Sequence, residues 1–145
     1  MSPSTSTIQA RRALLDSSGF LSLFSPHDVH HQAAVAIWSR LTEGRWRTYT
    51  TNFLVAETHS LFLVRLGHRS ATDFLRGIVQ GSTIILPVEP SDEEEARATV
   101  FQYDDKDFSL TDATSFTVME RMRVPAAFTV DRHFAQSGFT VLTAQ

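Results

Sequence analysis

The sequence predicts a three-layer α/β fold with a mainly parallel central sheet. Segments of strand composition alternate with amphipathic helical segments along the whole chain, which is the pattern of βαβ units. The 145 residues, 42% hydrophobic and 20% charged, have the size and balance of one globular domain. No repeat interrupts this alternation. We expect a flexible leader at residues 1–11, rich in Ser and Thr, followed by a single domain at residues 12–145.

The first half of the chain is predicted to form two strands and four helices. A helix at residues 30–41 is indicated by an apolar stripe at helical spacing, made of Val29, Ala33, Ile37 and Leu41. Residues 47–51 are rich in Thr and include Tyr, which favours a strand, and Asn52 is placed to cap the next helix. In order, the expected elements are a strand at 13–15, helices at 17–24 and 30–41, a strand at 47–51 and helices at 53–66 and 71–79.

The second half is predicted to form three strands and three helices. A β-branched run at residues 83–88 indicates a buried strand. Pro90 opens the next helix, and Ser91 and Glu94 have the spacing of a capping box. The acidic run at residues 92–95 is therefore explained by the helix N-terminus alone. The expected order is a strand at 83–88, a helix from 90, a helix at 109–122, a strand at 126–130, a helix at 133–137 and a strand at 139–142.

The residue types that are missing exclude several classes of function. Without Cys the chain has no Cys nucleophile, disulfide, iron–sulfur cluster or thiolate zinc site. It also lacks an H-E-x-x-H motif, a Walker glycine loop, a G-x-S-x-G elbow and a G-x-G-x-x-G turn. Its apolar runs are far shorter than the ~18 residues of a membrane span. We expect a soluble, cytoplasmic protein.

Two carboxylates directly follow predicted strands. Asp16 comes after the strand at 13–15, and Asp131 comes after the strand at 126–130. Because ligands of open parallel α/β sheets bind at the carboxyl ends of the strands, both side chains are candidates for one site.

Two further carboxylates lie on predicted apolar helix stripes. Glu57 shares its stripe with Phe53, Leu61 and Val64. Asp112 shares its stripe with Phe108, Phe116 and Met119. An ionised carboxylate facing a core is costly, so it takes up a proton or acquires a cation.

Three of these four acids also have an ordinary structural explanation. Asp16 and Asp131 fit as caps of the short helices after them, and Asp112 fits a capping box with Ser109. If all four instead meet at one sheet edge, their charges repel and demand neutralisation. An all-oxygen cluster suits a hard cation, Mg²⁺ or Mn²⁺, and such a site performs phosphoryl chemistry.

With these four acids the chain resembles the PIN-domain ribonucleases, and within them the VapC-type toxins of toxin–antitoxin pairs. The matching segments are LLDSSGF at 14–20, TNFLVAE at 51–57, FSLTDA at 108–113 and FTVDRHF at 128–134. The resemblance implies an α/β/α sandwich that cleaves RNA with a divalent metal ion. It also implies frequent homodimers, and often a small antitoxin protein whose tail fills the active-site groove.

The resemblance places the family's acidic positions, which are catalytic and bind Mg²⁺ or Mn²⁺, on Asp16, Glu57, Asp112 and Asp131. Ser18 falls on the family's usual Ser/Thr position, and Asp107 is a candidate outer-shell charge. We expect a metal-dependent endoribonuclease, the toxin of a toxin–antitoxin module.

Some basic residues are candidates for contacts with RNA. The net charge of −3 argues against a polyanionic partner, but four acids on a metal ion would remove that negative balance. The Arg guanidinium can donate two parallel hydrogen bonds to one phosphate, and twelve of the thirteen Lys and Arg residues are Arg. The candidates are Arg132, His133, Arg45 and Arg47, with an ordinary solvated surface as the alternative.

Two other hypotheses stay open. One keeps the fold but not the catalysis, so that the acids are helix caps and the surface docks a protein. The other is a receiver-like signalling domain with an acidic metal pocket and a phosphorylatable Asp; such a domain needs a nearby Lys, and Lys106 is the only one in the chain.

Overall fold

The computed structural model describes residues 11–144, which form a five-stranded sheet and seven helices. The strands are β1 (Arg12–Leu15), β2 (Arg47–Thr51), β3 (Ile84–Leu86), β4 (Ala126–Phe128) and β5 (Thr140–Val141). The helices are α1 (Ser17–Phe24), α2 (His31–Glu43), α3 (Asn52–Arg65), α4 (His68–Gln80), α5 (Pro90–Gln102), α6 (Leu110–Met122) and α7 (His133–Gln136).

The sheet is parallel throughout the described residues, in the order β3-β2-β1-β4-β5. The chain starts at the centre, runs outward to β3 and returns to the other side of β1 for β4 and β5. The strand order therefore reverses between β1 and β4, and this is where parallel α/β sheets open a ligand crevice at their carboxyl ends.

Helices cover both faces of the sheet. Side chains of a strand alternate between faces, so Leu14 joins the core cluster under α5, α6 and α7, while Ala13 and Leu15 join the cluster under α1, α2 and α4. The helix α3 contributes Leu54 to the first cluster and Phe62 to the second. The result is a three-layer α/β/α sandwich, which confirms the predicted fold class.

The helix caps lie elsewhere than predicted. Thr51 caps α3 by accepting a hydrogen bond from the Leu54 backbone N–H at 3.0 Å, whereas Asn52 is already helical. The Asn52 side chain instead accepts from the backbone N–H of Val88, 36 residues further along, at 2.8 Å. The prediction that Asn52 caps this helix was wrong because a long-range partner takes its carbonyl.

The capping box of α5 is also displaced. It joins Glu89 and Asp92 rather than the predicted Ser91 and Glu94. Pro90 is the first helical residue, so the box starts one residue before it. The acidic run thus belongs to a helix N-terminus as expected, but Asp92 is buried.

Two predicted apolar surfaces are placed differently in the structure. In α2 the buried residues are Ala34, Ile37 and Leu41, while Val29 precedes the helix and is 90% exposed. The strand predicted at 83–88 shortens to β3, an edge strand whose Ile84 is 42% exposed. Both errors arise because the pattern of apolar residues does not show which of them the neighbouring elements cover.

The predicted leader lies almost wholly outside the described residues, which begin at Arg11. The Arg11 backbone carbonyl accepts a hydrogen bond from the Arg47 N–H at 2.9 Å, beside the start of β2. Within residues 11–144 no helix has the length and apolar character needed to cross a bilayer.

Candidate active site

Asp16 lies at the carboxyl end of the central strand β1, next to the reversal of strand order. Its side chain is buried, with the residue only 3% exposed. Oδ2 accepts hydrogen bonds from Ser18 Oγ at 2.7 Å and from Thr129 Oγ1 at 2.8 Å. The side chain makes no capping bond to α1, so the cap explanation of this acid does not hold.

The environment of Asp16 opposes its negative charge. The pKa of its carboxyl is raised from 3.8 to about 6, chiefly by burial and also by the charges of Asp112 and Glu57, although the hydrogen bonds from Ser18 and Thr129 lower it. A buried acid with two charged acids around it is a site that a cation would stabilise.

Glu57 reaches the same edge from α3. Ser17, the first residue of α1, donates to Glu57 Oε1 at 2.6 Å and so fixes the carboxylate beside Asp16. The predicted apolar stripe of this helix was wrong, because Val64 is 85% exposed and the buried face runs through Leu54, Thr58 and Phe62. Glu57 is half-buried at the border of that face.

Asp112 is both a helix cap and a member of the acidic cluster. Its Oδ2 accepts from the Ser109 backbone N–H at 3.0 Å while its own N–H donates to Ser109 Oγ at 3.0 Å, which is the predicted capping box. Burial, with the charges of Asp131 and Glu57, nevertheless raises its pKa above the ordinary value, in spite of the bonds from Ser109. The capping explanation and the site explanation are therefore compatible.

Asp131 follows β4 and faces Asp112. Its Oδ1 accepts from the backbone N–H of His133 at 2.9 Å, so it also closes the turn into α7. One ligand atom from each of Asp112, Asp131 and His133 lies within 4.8 Å of the others. The structure thus brings the four predicted acids to one sheet edge, where the charges of Asp112 and Glu57 act on Asp16 and those of Asp131 and Glu57 act on Asp112.

Two hydroxyl residues of the site, Ser17 and Thr129, were missed in the sequence. Thr129 Oγ1 donates to Asp16, accepts from the backbone N–H of Asp131 at 3.0 Å and lies 3.0 Å from Ser18 Oγ. The only available signal was their position beside Asp16 and Asp131. Ser18, which was predicted, also accepts from the backbone N–H of Val130 at 3.1 Å.

The exchange Thr129→Val tests whether the hydrogen bond from Thr129 to Asp16 matters for cleavage. The exchange keeps the shape but removes a hydrogen bond to a buried carboxylate, which is worth about 1.5 kcal/mol or roughly tenfold in rate. We expect RNA cleavage at pH 7 to fall about tenfold. Thr117→Val is the matched control, because Thr117 is also buried but its hydroxyl bonds to Ala113 within α6. Equal rates for the two variants would contradict the role of Thr129.

His133 and the exposed acid Asp107 form a pair at the rim. His133 Nε2 lies 2.7 Å from Asp107 Oδ1, and this hydrogen bond is the main reason that the pKa of Asp107 is lowered. Arg132 is 74% exposed on its side chain, 3.9 Å from the same oxygen. Both predicted rim contacts, Arg132 and His133, therefore lie beside the acids.

The other two predicted RNA contacts are not brought to the acids. Arg47 starts β2 and therefore lies at the amino end of that strand, the opposite edge of the sheet. Arg45 lines a cavity of about 600 Å³ between α1, α2 and α4, together with Trp38 and Trp46. That Arg45 and Arg47 contact RNA stays a prediction.

The donor set of the acidic site suits a divalent cation. Its compact part is formed by Asp112, Asp131 and His133, whose ligand atoms lie within 4.8 Å of one another. The carboxylates of Asp16 and Glu57 lie outside that group at the same edge, where Ser18 and Ser17 hold them. Oxygen-rich sets of this kind bind Mg²⁺ or Mn²⁺, and a bound cation would offset the mutual repulsion of the acids.

Comparison with known proteins gives the class of this fold and site. No family model matches the chain. A VapC ribonuclease of Archaeoglobus fulgidus is 34% identical over 115 residues, covering 77% of this chain and 72% of that protein. The 23S rRNA-specific endonuclease VapC20 of Mycobacterium tuberculosis is 29% identical over 127 residues, covering 86% and 93%.

A crystal structure of the M. tuberculosis VapC20, described as a Sarcin-Ricin loop cleaving toxin, has a TM-score of 0.84 and 27% identity. The match covers 90% of this chain and 98% of that one. The parallel α/β/α sandwich of this chain is thus the fold of a PIN-like nuclease. The chain belongs to the VapC ribonuclease family. This confirms the predicted family and enzyme class, and it excludes the receiver-like alternative.

Proposed function

We propose that this ribonuclease requires Mg²⁺ or Mn²⁺ and that the ion is held by Asp16, Glu57, Asp112 and Asp131. The observation that carries the proposal is Asp16, a carboxyl 3% exposed whose pKa is raised to about 6 by burial and by two further acids. No basic side chain among the described residues offsets that charge within the contacts of Asp16.

The residues of this chain position the ligands. Ser17 holds Glu57, Ser18 and Thr129 hold Asp16, and the backbone of Ser109 holds Asp112. When bound, a divalent ion would polarise a phosphodiester and lower the pKa of water. Ligands fixed in advance need little reorganisation during the reaction.

Metal removal is the direct test of this dependence. We expect RNA cleavage by the purified chain to disappear in EDTA and to return on addition of excess Mg²⁺ or Mn²⁺. Asp105→Asn, an exposed acid outside the site, serves as the control and keeps full activity. Cleavage that persists after chelation would contradict the proposal, and an RNA left intact in every condition would favour the catalytically silent binding module.

The proposed substrate is a structured loop of ribosomal RNA. The VapC20 relatives are 23S rRNA-specific, and the fold of this chain matches VapC20 over 90% of its length. The exposed guanidinium of Arg132 beside the acids is suited to a phosphate next to the cut. Primer extension on ribosomes treated with the protein would map the cleavage site. Scattered cuts in any single-stranded RNA would contradict the proposal of a ribosomal RNA loop as substrate.

We also propose that the protein acts in the cytoplasm, forms a homodimer and is held silent by an antitoxin. The last turn of α3 supports a protein contact, because Leu63 and Val64 are 45% and 85% exposed there. Light scattering on wild type and Val64→Lys would test the dimer. Co-purification with the product of a neighbouring gene would test the antitoxin.

A further inference from the structure

His133 has the arrangement of a metal-binding histidine. Its Nε2 is engaged with the Asp107 carboxylate at 2.7 Å, so the ring N–H is needed on that side. Metal-ligating histidines commonly donate their second ring N–H to a carboxylate, which fixes the tautomer and the ring orientation. With the proton on Nε2, the lone pair of Nδ1 is free to act as a ligand.

Nδ1 points into the acidic site without a hydrogen bond. The atom is buried and makes no hydrogen bond to any described residue. It lies 2.8 Å from Asp131 Oδ1, but that oxygen already accepts from the His133 backbone N–H and the two atoms do not have hydrogen-bond geometry. An Nδ1 lone pair and a carboxylate oxygen at this distance repel unless a positive charge, either a metal ion or a second ring proton, lies next to both.

The spacing of the three donors fits one ion. Ions whose ligand bonds are about 2.1 Å place adjacent ligands about 3 Å apart. The 2.8 Å between His133 Nδ1 and Asp131 Oδ1 matches this spacing. Asp112 belongs to the same cluster, in which one ligand atom from each of the three residues lies within 4.8 Å of the others.

Building on the proposed metal dependence, we propose that His133 Nδ1 is a direct ligand of the ion held by Asp112 and Asp131, with Asp107 as its outer partner. A nitrogen ligand favours transition-metal ions over Mg²⁺, which prefers oxygen. The site therefore selects Mn²⁺ or a later transition metal over Mg²⁺. His133 is thus a ligand rather than an RNA contact.

Pulsed EPR on the full chain with one equivalent of Mn²⁺ tests this directly. We expect electron spin-echo modulation from a directly bound ¹⁴N in the wild type. The modulation should be lost in His133→Gln, whose amide can still reach Asp107 but offers no nitrogen at the Nδ1 position. It should persist in His68→Gln, because His68 is an exposed residue at the start of α4.

Calorimetry separates the possible failures. We expect His133→Gln to weaken Mn²⁺ binding by about tenfold or more and Mg²⁺ binding by less than about threefold. We expect Asp107→Asn to weaken Mn²⁺ binding about tenfold while the nitrogen signal is retained. Wild-type protein that binds Mn²⁺ without a nitrogen signal would overturn the ligand role and leave the metal site intact. Wild-type protein that binds no Mn²⁺ would overturn both.

Discussion

Exchange of Asp16 for Asn is expected to reduce RNA cleavage by about 10³-fold or more, because a central anionic ligand is lost, at a cost of about 4 kcal/mol in the transition state. Single-turnover cleavage in saturating Mn²⁺ measures this loss. Asp105→Asn, with the same chemical change on an exposed loop, should match the wild type. A variant that retains more than a tenth of the activity would remove Asp16 from the catalytic set.

The same exchange is expected to stabilise the metal-free protein. Folding raises the pKa of Asp16 from 3.8 to about 6, so the folded chain holds this proton more tightly than the unfolded chain does. Its stabilising contribution is present below pH 4 and is lost as the pH rises through about 6. At pH 7.5 the ionised buried carboxylate costs roughly 2–3 kcal/mol, which Asn avoids.

Thermal unfolding in EDTA measures this second effect. We expect Asp16→Asn to melt several degrees above the wild type at pH 7.5 and at nearly the same temperature at pH 4. An unchanged melting temperature at pH 7.5 would show that the ionised Asp16 carboxylate is not destabilising in the folded chain. Activity and stability should thus move in opposite directions, as for a residue kept for its function.

Exchange of Arg121 for Met is expected to cost about 2 kcal/mol of folding stability. Arg121 Nε and Nη2 donate to the two oxygens of Asp92 at 2.9 and 2.8 Å, which ties the end of α6 to the start of α5. Asp92 is only 2% exposed, so the variant leaves a carboxylate buried without its partner. The loss is no larger because the Arg121 side chain is 39% exposed and water already screens the pair.

The stability that the Arg121–Asp92 pair contributes depends on pH. The hydrogen bonds from Arg121 lower the pKa of Asp92, so the pair stabilises the fold above pH 4 and the contribution is lost as the pH falls through the lowered pKa. Urea unfolding should therefore show a gap between wild type and variant at pH 7 that closes in acid. Arg97→Met, on the exposed face of α5, is the control. A gap that persists at low pH would assign the loss to packing instead.

Much of the fold was predictable because strand and helix periods alternate without interruption. Two candidate acids were also predictable, since Asp16 directly follows β1, Asp131 lies shortly after β4, and parallel strands end at one edge. Glu57 was identified because the sequence placed it on an apolar helix stripe, and the structure shows that this stripe is not the buried face. Because α3 packs against both core clusters, apolar residues occur on several sides of the helix, and more than one stripe fits the sequence equally well.

What could not be predicted depends on contacts distant in sequence. Ser17 and Thr129 are neutral hydroxyl residues whose importance comes only from the acids that they meet in the folded chain. The Asn52 side chain is drawn away from its helix by Val88. Asp92 looked like one of several solvated helix-start acids, and only the approach of Arg121 distinguishes it. The local sequence pattern predicts the helices and strands, but contacts between residues distant in sequence decide which side chains support the acids.

The most direct measurement of the central claim is anomalous diffraction from crystals of the full chain soaked in Mn²⁺. We predict an anomalous peak at the carboxyl ends of β1 and β4, within ligand distance of carboxylate oxygens from the four acids Asp16, Glu57, Asp112 and Asp131. The peak should vanish in crystals of Asp16→Asn or Asp112→Asn. A fully active protein whose crystals show no Mn²⁺ peak at this edge would contradict the account.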